Sequence, residues 1–479
     1  MKEQPLTKGL YLNGEFVQLD DNFAVQNPAT FETVGYVPNG TAKEAKLAVD
    51  AAHEAFKTWS KTTAYERAEL LEKWYKLIND RLEVLASTMT IEQGKPLAEA
   101  KGEIQYANSF VKWFAEEAKR IYGETIPASV HSKRIIVQKQ PVGVVAAITP
   151  WNFPAAMITR KVAPALAAGC TVVIKPAEQT PLTALLLAEC AHEAGFPAGV
   201  INVITTEKPA EVVDVWMEDS RVKKVTFTGS TPVGKLLMRK AADTVKKVSL
   251  ELGGLAPFII TEDANIQEAV KGVVQSKFRN AGQTCVCANR IYVHESIKEP
   301  FLKAFHEAVL TLQVGNGLDE KVDIGPLIDE NAVKKVQHQL EDAVEKGAKL
   351  HEGPAVNMDK GYFMKPIVIS DVTDDMLCMQ EETFGPLAPV STYSDDEEVI
   401  QRANGTPFGL AAYVYTQSLK KAVWFSENLE YGIVGINDGL PSVAQAPFGG
   451  MKESGLGREG SHYGLDEFLE IKFVSLQLI

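Results

Sequence analysis

Several features that commonly reveal a protein's compartment are missing from this sequence. Its five cysteines are an odd and sparse set in 479 residues, which argues against a disulfide framework and favours a reducing compartment. The chain has no apolar run of the roughly 18 residues that a membrane span requires, and its first residues contain no apolar core of signal-peptide length. We therefore expect a cytoplasmic protein without a membrane partner.

Basic blocks and metal-binding spacings are missing as well. The formal net charge is -13 and no block of five Lys or Arg residues occurs, so a nucleic-acid partner is not expected. The eight histidines show no H-x-x-x-H spacing and the cysteines no C-x-x-C spacing, so we predict no metal site. What remains is the composition of an ordinary globular enzyme, with 45% hydrophobic and 23% charged residues, and a length that predicts two or three domains.

Apolar runs of strand length alternate with helical segments from residue 142 onwards. The runs are VVAAIT (144–149), TVVIK (171–175), VINVIT (200–205), VTFTG (225–229) and VSLEL (248–252). Near-continuous Val and Ile runs of this kind are typical of a parallel sheet that is covered by helices on both faces. Because ligands bind at the carboxyl ends of the strands in such sheets, we expect residues 150–153, 175–178 and 229–234 to border one crevice.

The flanking segments predict further elements. Residues 10–40 contain short alternating runs with turn residues, which predict a few strands, and residues 42–120 have helical spacing. Two strand-like pieces at 121–140 have edges that need a pairing partner. A second α/β series runs from 257 to 437, and the tail from 466 to 479 ends in another strand-like run.

Three fragments carry candidate reactive side chains. Cys285 lies in a polar, glycine-containing stretch after a helix, which suits a reactive thiol, although a single cysteine could equally be a buried structural residue. Glu251 ends a predicted parallel strand, where a sheet presents functional groups, and could otherwise be an ordinary strand-end acid. Asn152 follows a strand end and precedes a helix, so its side chain could donate to an oxyanion.

These fragments belong to a longer series of motifs. The series is TPWNFP (149–154), KPAE (175–178), FTGS (227–230), ELGG (251–254) with GQTC (282–285), and EETFGP (381–386). In this order and combination the sequence resembles the aldehyde dehydrogenase superfamily over nearly its whole length.

The resemblance implies an α/β fold of the aldehyde dehydrogenase type with three parts. A Rossmann-type cofactor domain would comprise residues 1–120 and 142–252, and an α/β catalytic domain would comprise residues 253–458. A small β oligomerisation arm would comprise residues 121–141 and 459–479. By extending a neighbour's sheet, this arm would build a homodimer or a homotetramer.

The resemblance also implies covalent catalysis. Cys285 would attack the aldehyde carbonyl, with Glu251 acting through a water as the general base, because a thiol with a pKa of about 8.5 is only slightly ionised at neutral pH. Asn152 and the backbone N–H of Cys285 would stabilise the resulting alkoxide. Glu251 would then activate the water that hydrolyses the thioester, and Lys175 is counted with these residues as catalytic.

For the cofactor, the sequence has no G-x-G-x-x-G motif at the first βα turn. The segment from Gly229 to Gly234 is similar to the family's variant loop, in which the pyrophosphate meets a helix N-terminus. The cofactor contacts that the resemblance implies are Thr149, Pro150, Trp151, Lys175, Glu178, Gly229, Ser230, Val233, Leu252, Glu382 and Phe384. Glu178 would accept both ribose hydroxyls and repel a 2′-phosphate, so NAD is the expected cofactor, with NADP as an alternative.

Two arginines point to an acidic substrate. Segments around Arg160, Arg279 and residues 447–460 look like those of the succinate-semialdehyde dehydrogenases within the family. Arg160 lies on the helix after the oxyanion turn and Arg279 lies six residues before the nucleophile, so we expect both to face the aldehyde. They would bind a distal carboxylate through hydrogen bonds of about 1.5 to 3 kcal/mol each, with Ser442 as a third contact. A surface ion pair is the alternative for either arginine.

Other interpretations remain open. The substrate could be glutarate semialdehyde or a small hydroxyaldehyde, and a non-catalytic structural protein could use the same scaffold. Cys287 lies two residues from Cys285, near the Cα separation of about 4.4 to 6.8 Å that disulfides require. A reversible disulfide could therefore cap the nucleophile, or Cys287 could be a small packing residue.

Overall fold

The structure, a computed structural model, describes residues 6–356 and 358–479. Residues 1–5 of the predicted cofactor domain and Asn357 of the predicted catalytic domain lie outside the described residues. The α-helices are α1 (Ala42–Trp59), α2 (Ala64–Asp80), α3 (Leu82–Gln93), α4 (Leu97–Glu117), α5 (Ala156–Ala168), α6 (Pro181–Ala194), α7 (Pro209–Glu218), α8 (Thr231–Ala242), α9 (Ile266–Phe278), α10 (Lys298–Leu310), α11 (Glu330–Glu345), α12 (Leu377–Gln380), α13 (Asp396–Asn404), α14 (Leu419–Asn428) and α15 (Ser461–Asp466). Short 3-10 helices cover Ala118–Arg120, Arg279–Gly282 and Glu295–Ile297.

The strands are distributed along the chain as the sequence predicts. They are β1 (Leu6–Thr7), β2 (Leu10–Leu12), β3 (Glu15–Val17), β4 (Asn22–Gln26), β5 (Thr33–Pro38), β6 (Glu124–Ile126), β7 (Lys133–Pro141), β8 (Val144–Ile148), β9 (Thr171–Lys175), β10 (Ile201–Val203), β11 (Val222–Thr228), β12 (Lys247–Glu251), β13 (Ala256–Ile260), β14 (Ala288–His294), β15 (Lys349–Glu352), β16 (Ile367–Ser370), β17 (Leu387–Tyr393), β18 (Phe408–Gly409), β19 (Ala411–Tyr415), β20 (Ile433–Ile436), β21 (Met451–Lys452), β22 (Gly455–Leu456) and β23 (Leu469–Gln477). The strands expected within 10–40 and the helices expected within 42–120 are confirmed.

Local sequence explains where the first helices begin and end. Thr41 and Glu44 form a reciprocal capping box at the start of α1, and Thr63 and Glu66 form the same arrangement at the start of α2. Gly94 ends α3 with φ at +99°, a left-handed conformation that glycine adopts without strain. The two capping boxes and Gly94 therefore account for three of the helix ends within 42–120.

The first large sheet has the strand order β22-β12-β11-β8-β9-β10-β2-β3. Its five central strands, β12 to β10 in that order, are parallel. Trp74 and Phe110 belong to the core on one face, and Val49 and Trp216 belong to the core on the other. The predicted doubly wound sheet is confirmed, since helices cover both faces.

Two boundaries in this sheet differ from the sequence prediction. β11 begins at Val222, whereas the predicted run begins at residue 225. The added part of the strand contains Lys224, which is buried and whose Nζ donates to Ser249 Oγ at 2.5 Å. The pair Gly455–Leu456, assigned from sequence to the catalytic domain, forms β22 and pairs antiparallel with β12. The chain therefore returns to the first sheet before its end.

The second large sheet has the order β15-β16-β17-β14-β13-β19-β20 and is parallel except at β15. Its core includes Phe258, Tyr292 and Phe425. This sheet and its helices form the α/β part that the sequence predicts after residue 253.

The predicted arm contains a separate antiparallel sheet. β7 pairs with β23 from Lys133 opposite Gln477 to Pro141 opposite Leu469, and β6 adds a third strand. Ile471 and Phe473 are 73% and 62% exposed on β23. The segment 459–479 begins with a helix rather than a strand, since α15 precedes β23 and contacts α4 and α5. Within the described part of the chain, no helix is both long and apolar enough to cross a membrane.

Candidate active site

Four neighbouring strands of the first sheet end at the same edge, and each leads there into a predicted motif. β8, β9, β11 and β12 end at Ile148, Lys175, Thr228 and Glu251; Ile148 pairs with Lys175 and Thr228 with Glu251, and β11 extends one residue past the Phe227 that pairs with Ile148. The backbone N–H of Gly229 donates to the carbonyl of Glu251 at 3.0 Å. The strands that precede these motifs therefore end at one edge of the sheet, and the crevice between the motifs stays a prediction.

The loop that carries Cys285 has an unusual backbone. Asn280 and Ala281 have φ values of +51° and +55°, and Gly282 follows at +78°. A Cβ at Gly282 would lie 2.3 Å from the carbonyl oxygen of Gly385, so this glycine is required by close approach as well as by its φ. Left-handed non-glycine residues are costly and concentrate at functional sites. The nucleophile loop is held in shape by the surrounding structure.

Cys285 and Glu251 both have raised pKa values. Burial raises the pKa of Cys285 to about 12, while the charges of Arg160 and Arg279 act in the opposite direction. Burial, followed by the negative charge of Glu459, raises the pKa of Glu251 well above its ordinary value. Glu251 Oε2 is buried without a hydrogen-bond partner among the described residues. A thiol of this kind requires a base to react, and an acid with a raised pKa is a stronger base once ionised.

Asn152 is held against the nucleophile loop. Its Nδ2 donates to the carbonyl of Gln283 at 3.1 Å, which leaves the second hydrogen of the amide for another acceptor. Asn280 Nδ2 donates to the carbonyl of Asn152 at 2.9 Å. The predicted oxyanion donor is therefore hydrogen-bonded to the loop that carries Cys285.

A buried ion pair supports the turn around Asn152. Lys95 Nζ donates to the carbonyl of Asn152 at 2.8 Å, forms an ion pair with Glu103, and lies 4.0 Å from the centre of the Phe153 ring. Glu103 Oε1 in turn accepts from the backbone N–H of Ala155 at 3.0 Å. Because both partners reach the backbone of residues 152–155, the pair fixes the start of the helix that follows.

Arg160 belongs to a second buried charge cluster. Its Nε and Lys161 Nζ donate to the two oxygens of Glu459, and Lys161 Nζ also donates to Thr228 Oγ1 at 2.6 Å. The arginine side chain is 1% exposed, so the alternative of a surface ion pair is wrong for Arg160. Burial alone would raise the pKa of Glu459, but Arg160 and Lys161 outweigh it and hold that pKa below its usual value.

The predicted substrate residues line one small cavity beside Cys285. The cavity has a volume of about 50 Å³ and is lined by Tyr106, Phe153, Met157, Arg160, Arg279, Thr284, Cys285, Val286, Ser442 and Phe448. Arg279 stands 5.3 Å from the centre of the Phe153 ring and makes no ion pair among the described residues. Its Nε is buried without a hydrogen-bond partner among those residues. Two guanidinium groups, a thiol and hydroxyl groups thus share one apolar-walled space.

Several predicted cofactor residues lie at the N-terminus of α8. Ser230 is the N-cap of this helix, yet no side chain caps the helix by a hydrogen bond. A Cβ at Gly234 would lie 2.4 Å from Leu252 Cδ2, so glycine lets α8 approach the sheet. Val233 is 42% exposed on the same helix. An uncapped helix N-terminus at the carboxyl edge of a parallel sheet fits a dinucleotide pyrophosphate.

The remaining cofactor residues lie on both sides of the crevice. Lys175 Nζ pairs with Glu178 Oε2 at 2.7 Å, and Lys175 does not line the Cys285 cavity, so its catalytic role stays a prediction. Glu382 Oε1 accepts from the backbone N–H of Gly254 at 3.0 Å, and burial raises the pKa of Glu382 to about 7. The segment from Thr149 through Pro150 to Trp151 contacts the segment of Glu382 and Phe384. The contact is between the rings of Trp151 and Phe384, which meet edge to face with their centres 5.6 Å apart.

Cys287 lies close to Cys285 in sequence but in a different environment. It is 1% exposed, its Sγ donates to the carbonyls of Lys277 and Ala288 at 3.5 Å, and burial raises its pKa. Both cysteines are free thiols in this structure. The redox role of Cys287 stays a prediction.

Sequence reasoning missed several residues of the site. Lys161 and Glu459 complete the charge cluster of Arg160, Lys95 supports the Asn152 turn, and Tyr106 lines the cavity. A signal existed for Lys161, because an Arg-Lys pair interrupts the otherwise apolar sequence of α5. No metal cluster appears, since no group of three or more His, Cys, Asp or Glu residues is suitably placed within 6–356 and 358–479.

Comparison with known proteins agrees with this geometry. The model of the aldehyde dehydrogenase family matches residues 16–474, and the chain belongs to that family. It is therefore an oxidoreductase of the kind that oxidises small aldehydes with NAD(P).

Two curated relatives and one solved structure illustrate the likeness. A 3-sulfolactaldehyde dehydrogenase of Pseudomonas putida is 54% identical over 99% of this chain and 97% of its own length. An NADP+-dependent succinate-semialdehyde dehydrogenase of Escherichia coli (strain K12) is 54% identical over 98% of this chain and 97% of its own length. A crystal structure of an NADP-dependent enzyme of E. coli has a TM-score of 0.97 at 52% identity, covering 99% of this chain and 98% of that chain. The predicted family and fold are confirmed.

Proposed function

We propose that this protein oxidises succinate semialdehyde to succinate. The observation that carries the proposal is the cavity beside Cys285, in which the guanidinium groups of Arg160 and Arg279 stand with the hydroxyl of Ser442. An aldehyde at the thiol would place a carboxylate a few carbons away within reach of these donors. Charge-assisted bonds to guanidinium groups are the strong ones, so an uncharged aldehyde of the same length would bind less well.

A terminal acid is common to the substrates that the relatives' names describe. One relative acts on a semialdehyde of succinate and the other on an aldehyde that carries a sulfonate. Both compounds present an aldehyde at one end and an anion at the other. The second candidate is therefore another small aldehyde with a distal acid, such as glutarate semialdehyde or a sulfonated aldehyde.

The proposed chemistry uses three side chains. Glu251, ionised, removes the thiol proton of Cys285 through a water, and the thiolate attacks the aldehyde carbon. The free N–H of the Asn152 amide donates to the oxygen that becomes negative; loss of one such donor typically costs about 10² to 10³ in rate. When bound, the dinucleotide supplies the hydride acceptor that turns the thiohemiacetal into a thioester. After Glu251 has released the first proton to solvent, it takes a proton from the water that hydrolyses the thioester, and Cys285 leaves as the thiolate.

Glu178 supports NAD as the preferred cofactor. Its carboxylate can accept two ribose hydroxyls, whereas a 2′-phosphate would meet a negative charge. Lys175 favours the alternative cofactor, NADP. Its ammonium lies 2.7 Å from the Glu178 carboxylate and could pair with a 2′-phosphate if Glu178 turned away. We expect Glu178→Thr to raise the ratio of kcat/KM with NADP to kcat/KM with NAD.

The β6, β7 and β23 sheet supports assembly into a dimer or tetramer. Its last strand exposes large apolar side chains, among them Ile471 and Phe473, which a monomer would leave in water. Burial against another copy would remove that cost.

Steady-state kinetics test the proposal directly. NADH or NADPH formation is measured with succinate semialdehyde, glutarate semialdehyde and butanal, each with NAD and NADP in parallel. The proposal predicts the highest kcat/KM for succinate semialdehyde with NAD. Cys285→Ser and Glu251→Gln should each lower kcat by orders of magnitude. Equal kcat/KM for butanal and succinate semialdehyde would contradict the proposed substrate.

A further inference from the structure

Four buried polar atoms around the Cys285 cavity have no hydrogen-bond partner among the described residues. They are Tyr106 Oη, Arg160 Nη2, Arg279 Nε and Thr284 Oγ1. All four side chains line the same cavity. Buried polar groups are nearly always paired in folded proteins, because an unpaired one loses its hydration without compensation. Four such atoms around one small space indicate a polar ligand that pairs with them.

Of these four residues, Tyr106 alone lies outside the sequence motifs and segments on which the resemblance to the aldehyde dehydrogenases rests. It lies on α4, the helix that also supplies Glu103 to the Asn152 turn. Its ring makes an edge contact with Phe110, with ring centres 5.0 Å apart and planes at 77°. Arg160 stands 5.8 Å from the centre of the same Phe110 ring. The tyrosine hydroxyl is thus carried by a packed helix to the side of the cavity where Arg160 lies.

The chemistry of a phenol suits this position. An ionised carboxylate has roughly four positions at which its oxygens can accept hydrogen bonds, and the two buried, unpaired arginine nitrogens, Arg160 Nη2 and Arg279 Nε, would fill only part of them. A third cation would be repelled by Arg160 and Arg279, whereas a hydroxyl adds a donor without adding charge. Burial raises the pKa of Tyr106, while those two arginines oppose the rise, so the phenol stays protonated and able to donate at neutral pH.

We propose that Tyr106 determines specificity for acidic aldehydes by donating its hydroxyl hydrogen to the distal acid group held between Arg160 and Arg279. The inference rests on the proposed function, because it requires a substrate with an anion at that end. Thr284 and Ser442 also line the cavity, but they lie on loops, whereas Tyr106 presents its donor from a helix. Donors on rigid elements discriminate best, since a substrate without an acceptor leaves them unpaired.

The test compares Tyr106→Phe with wild type on succinate semialdehyde and on butanal, which has the same number of carbons and no carboxylate. Loss of one hydrogen bond to a charged group should lower the ratio of kcat/KM for succinate semialdehyde to kcat/KM for butanal by about 10- to 100-fold. The change should appear mainly in the KM of the acidic substrate. Tyr415→Phe is the matched control, a buried tyrosine of the second sheet that does not line the cavity, and it should keep the wild-type ratio.

A binding measurement gives a readout that does not depend on turnover. Calorimetric titration with succinate should show a Kd raised by a similar factor in Tyr106→Phe and unchanged in Tyr415→Phe. If wild type prefers succinate semialdehyde and Tyr106→Phe keeps the same ratio and the same Kd, this inference is overturned and the proposed function stands. Equal losses for both aldehydes would also overturn it, because they would indicate packing alone. If wild type shows no preference, the proposed function fails and this inference fails with it.

Discussion

Replacing Glu459 by glutamine should destabilise the protein and move its pH profile at the same time. Glu459 is the carboxylate to which Arg160 and Lys161 are both paired, and the two cationic side chains are 1% and 0% exposed. Removing one partner of a buried ion pair typically costs about 3 to 5 kcal/mol, because the remaining charge stays buried. We therefore expect a clear fall in the thermal unfolding temperature of Glu459→Gln. Glu453→Gln is the matched control, since Glu453 pairs with Lys235 at the surface and such pairs contribute about 0 to 1 kcal/mol.

The pH effect has a defined sign. The negative charge of Glu459 helps burial to raise the pKa of Glu251. Its removal leaves two cations facing Glu251, so the pKa of Glu251 should fall and the base should be ionised at lower pH. Even at a separation of about 10 Å, a unit charge contributes about 1.7 kcal/mol at an effective dielectric constant of 20, and one pKa unit corresponds to about 1.4 kcal/mol. The acid limb of kcat/KM should therefore move to lower pH by about one unit or more. An acid limb that stays in place, or moves to higher pH, refutes this account of the charge cluster.

Three further predictions concern the cavity, the second cysteine and the arm. Arg279→Met should lower the ratio of kcat/KM for succinate semialdehyde to kcat/KM for butanal by about 10- to 100-fold and should keep the thermal stability of the wild type. Arg160→Met should lower the same ratio and should also unfold at a lower temperature, because Glu459 loses one of its two cationic partners. Equal thermal stability of the two variants would contradict the proposed role of the Arg160, Lys161 and Glu459 cluster. Cys287→Ala should lose activity irreversibly in peroxide if Cys287 protects the nucleophile, and inactivation and dithiothreitol recovery that match wild type would exclude the switch. Phe473→Glu should lower the mass of the assembly measured by light scattering, and an unchanged mass would show that β23 does not carry the interface.

The crevice could be predicted from sequence because its determinants are local. Each parallel strand is a short run of apolar residues, and the residue that ends it is known once the run is recognised. The runs predict Lys175, Gly229 and Glu251 at one edge of the sheet, and these strand ends do lie at one edge. The same runs predict the parallel strands of the first sheet, except for the start of β11, where the charged side chain of Lys224 interrupts the apolar pattern although it is buried.

The charge clusters could not be predicted because their partners are distant in sequence. Glu459 lies 299 residues from Arg160, and nothing in either segment identifies the other as its partner. Lys95 shows the same limit, since its role depends on Asn152 being brought to it by the fold. Tyr106 lies on a helix whose spacing predicts partial burial, but spacing does not say which buried side chain faces a cavity.

The balance of charge around Cys285 ties substrate choice to catalysis. Arg160 shares Glu459 with Lys161, and Arg279 has no ion-pair partner among the described residues, so positive charge is in excess while Glu251 is protonated. That excess acts against the rise in the pKa of the thiol, as the effects of both arginines on Cys285 show. A substrate carboxylate would neutralise part of the excess and so withdraw some of this help just when the thiolate is needed. In the proposed function, Glu251 would therefore have to complete the deprotonation, so that oxidation of an acidic aldehyde would depend on this base more strongly than the positive field alone suggests.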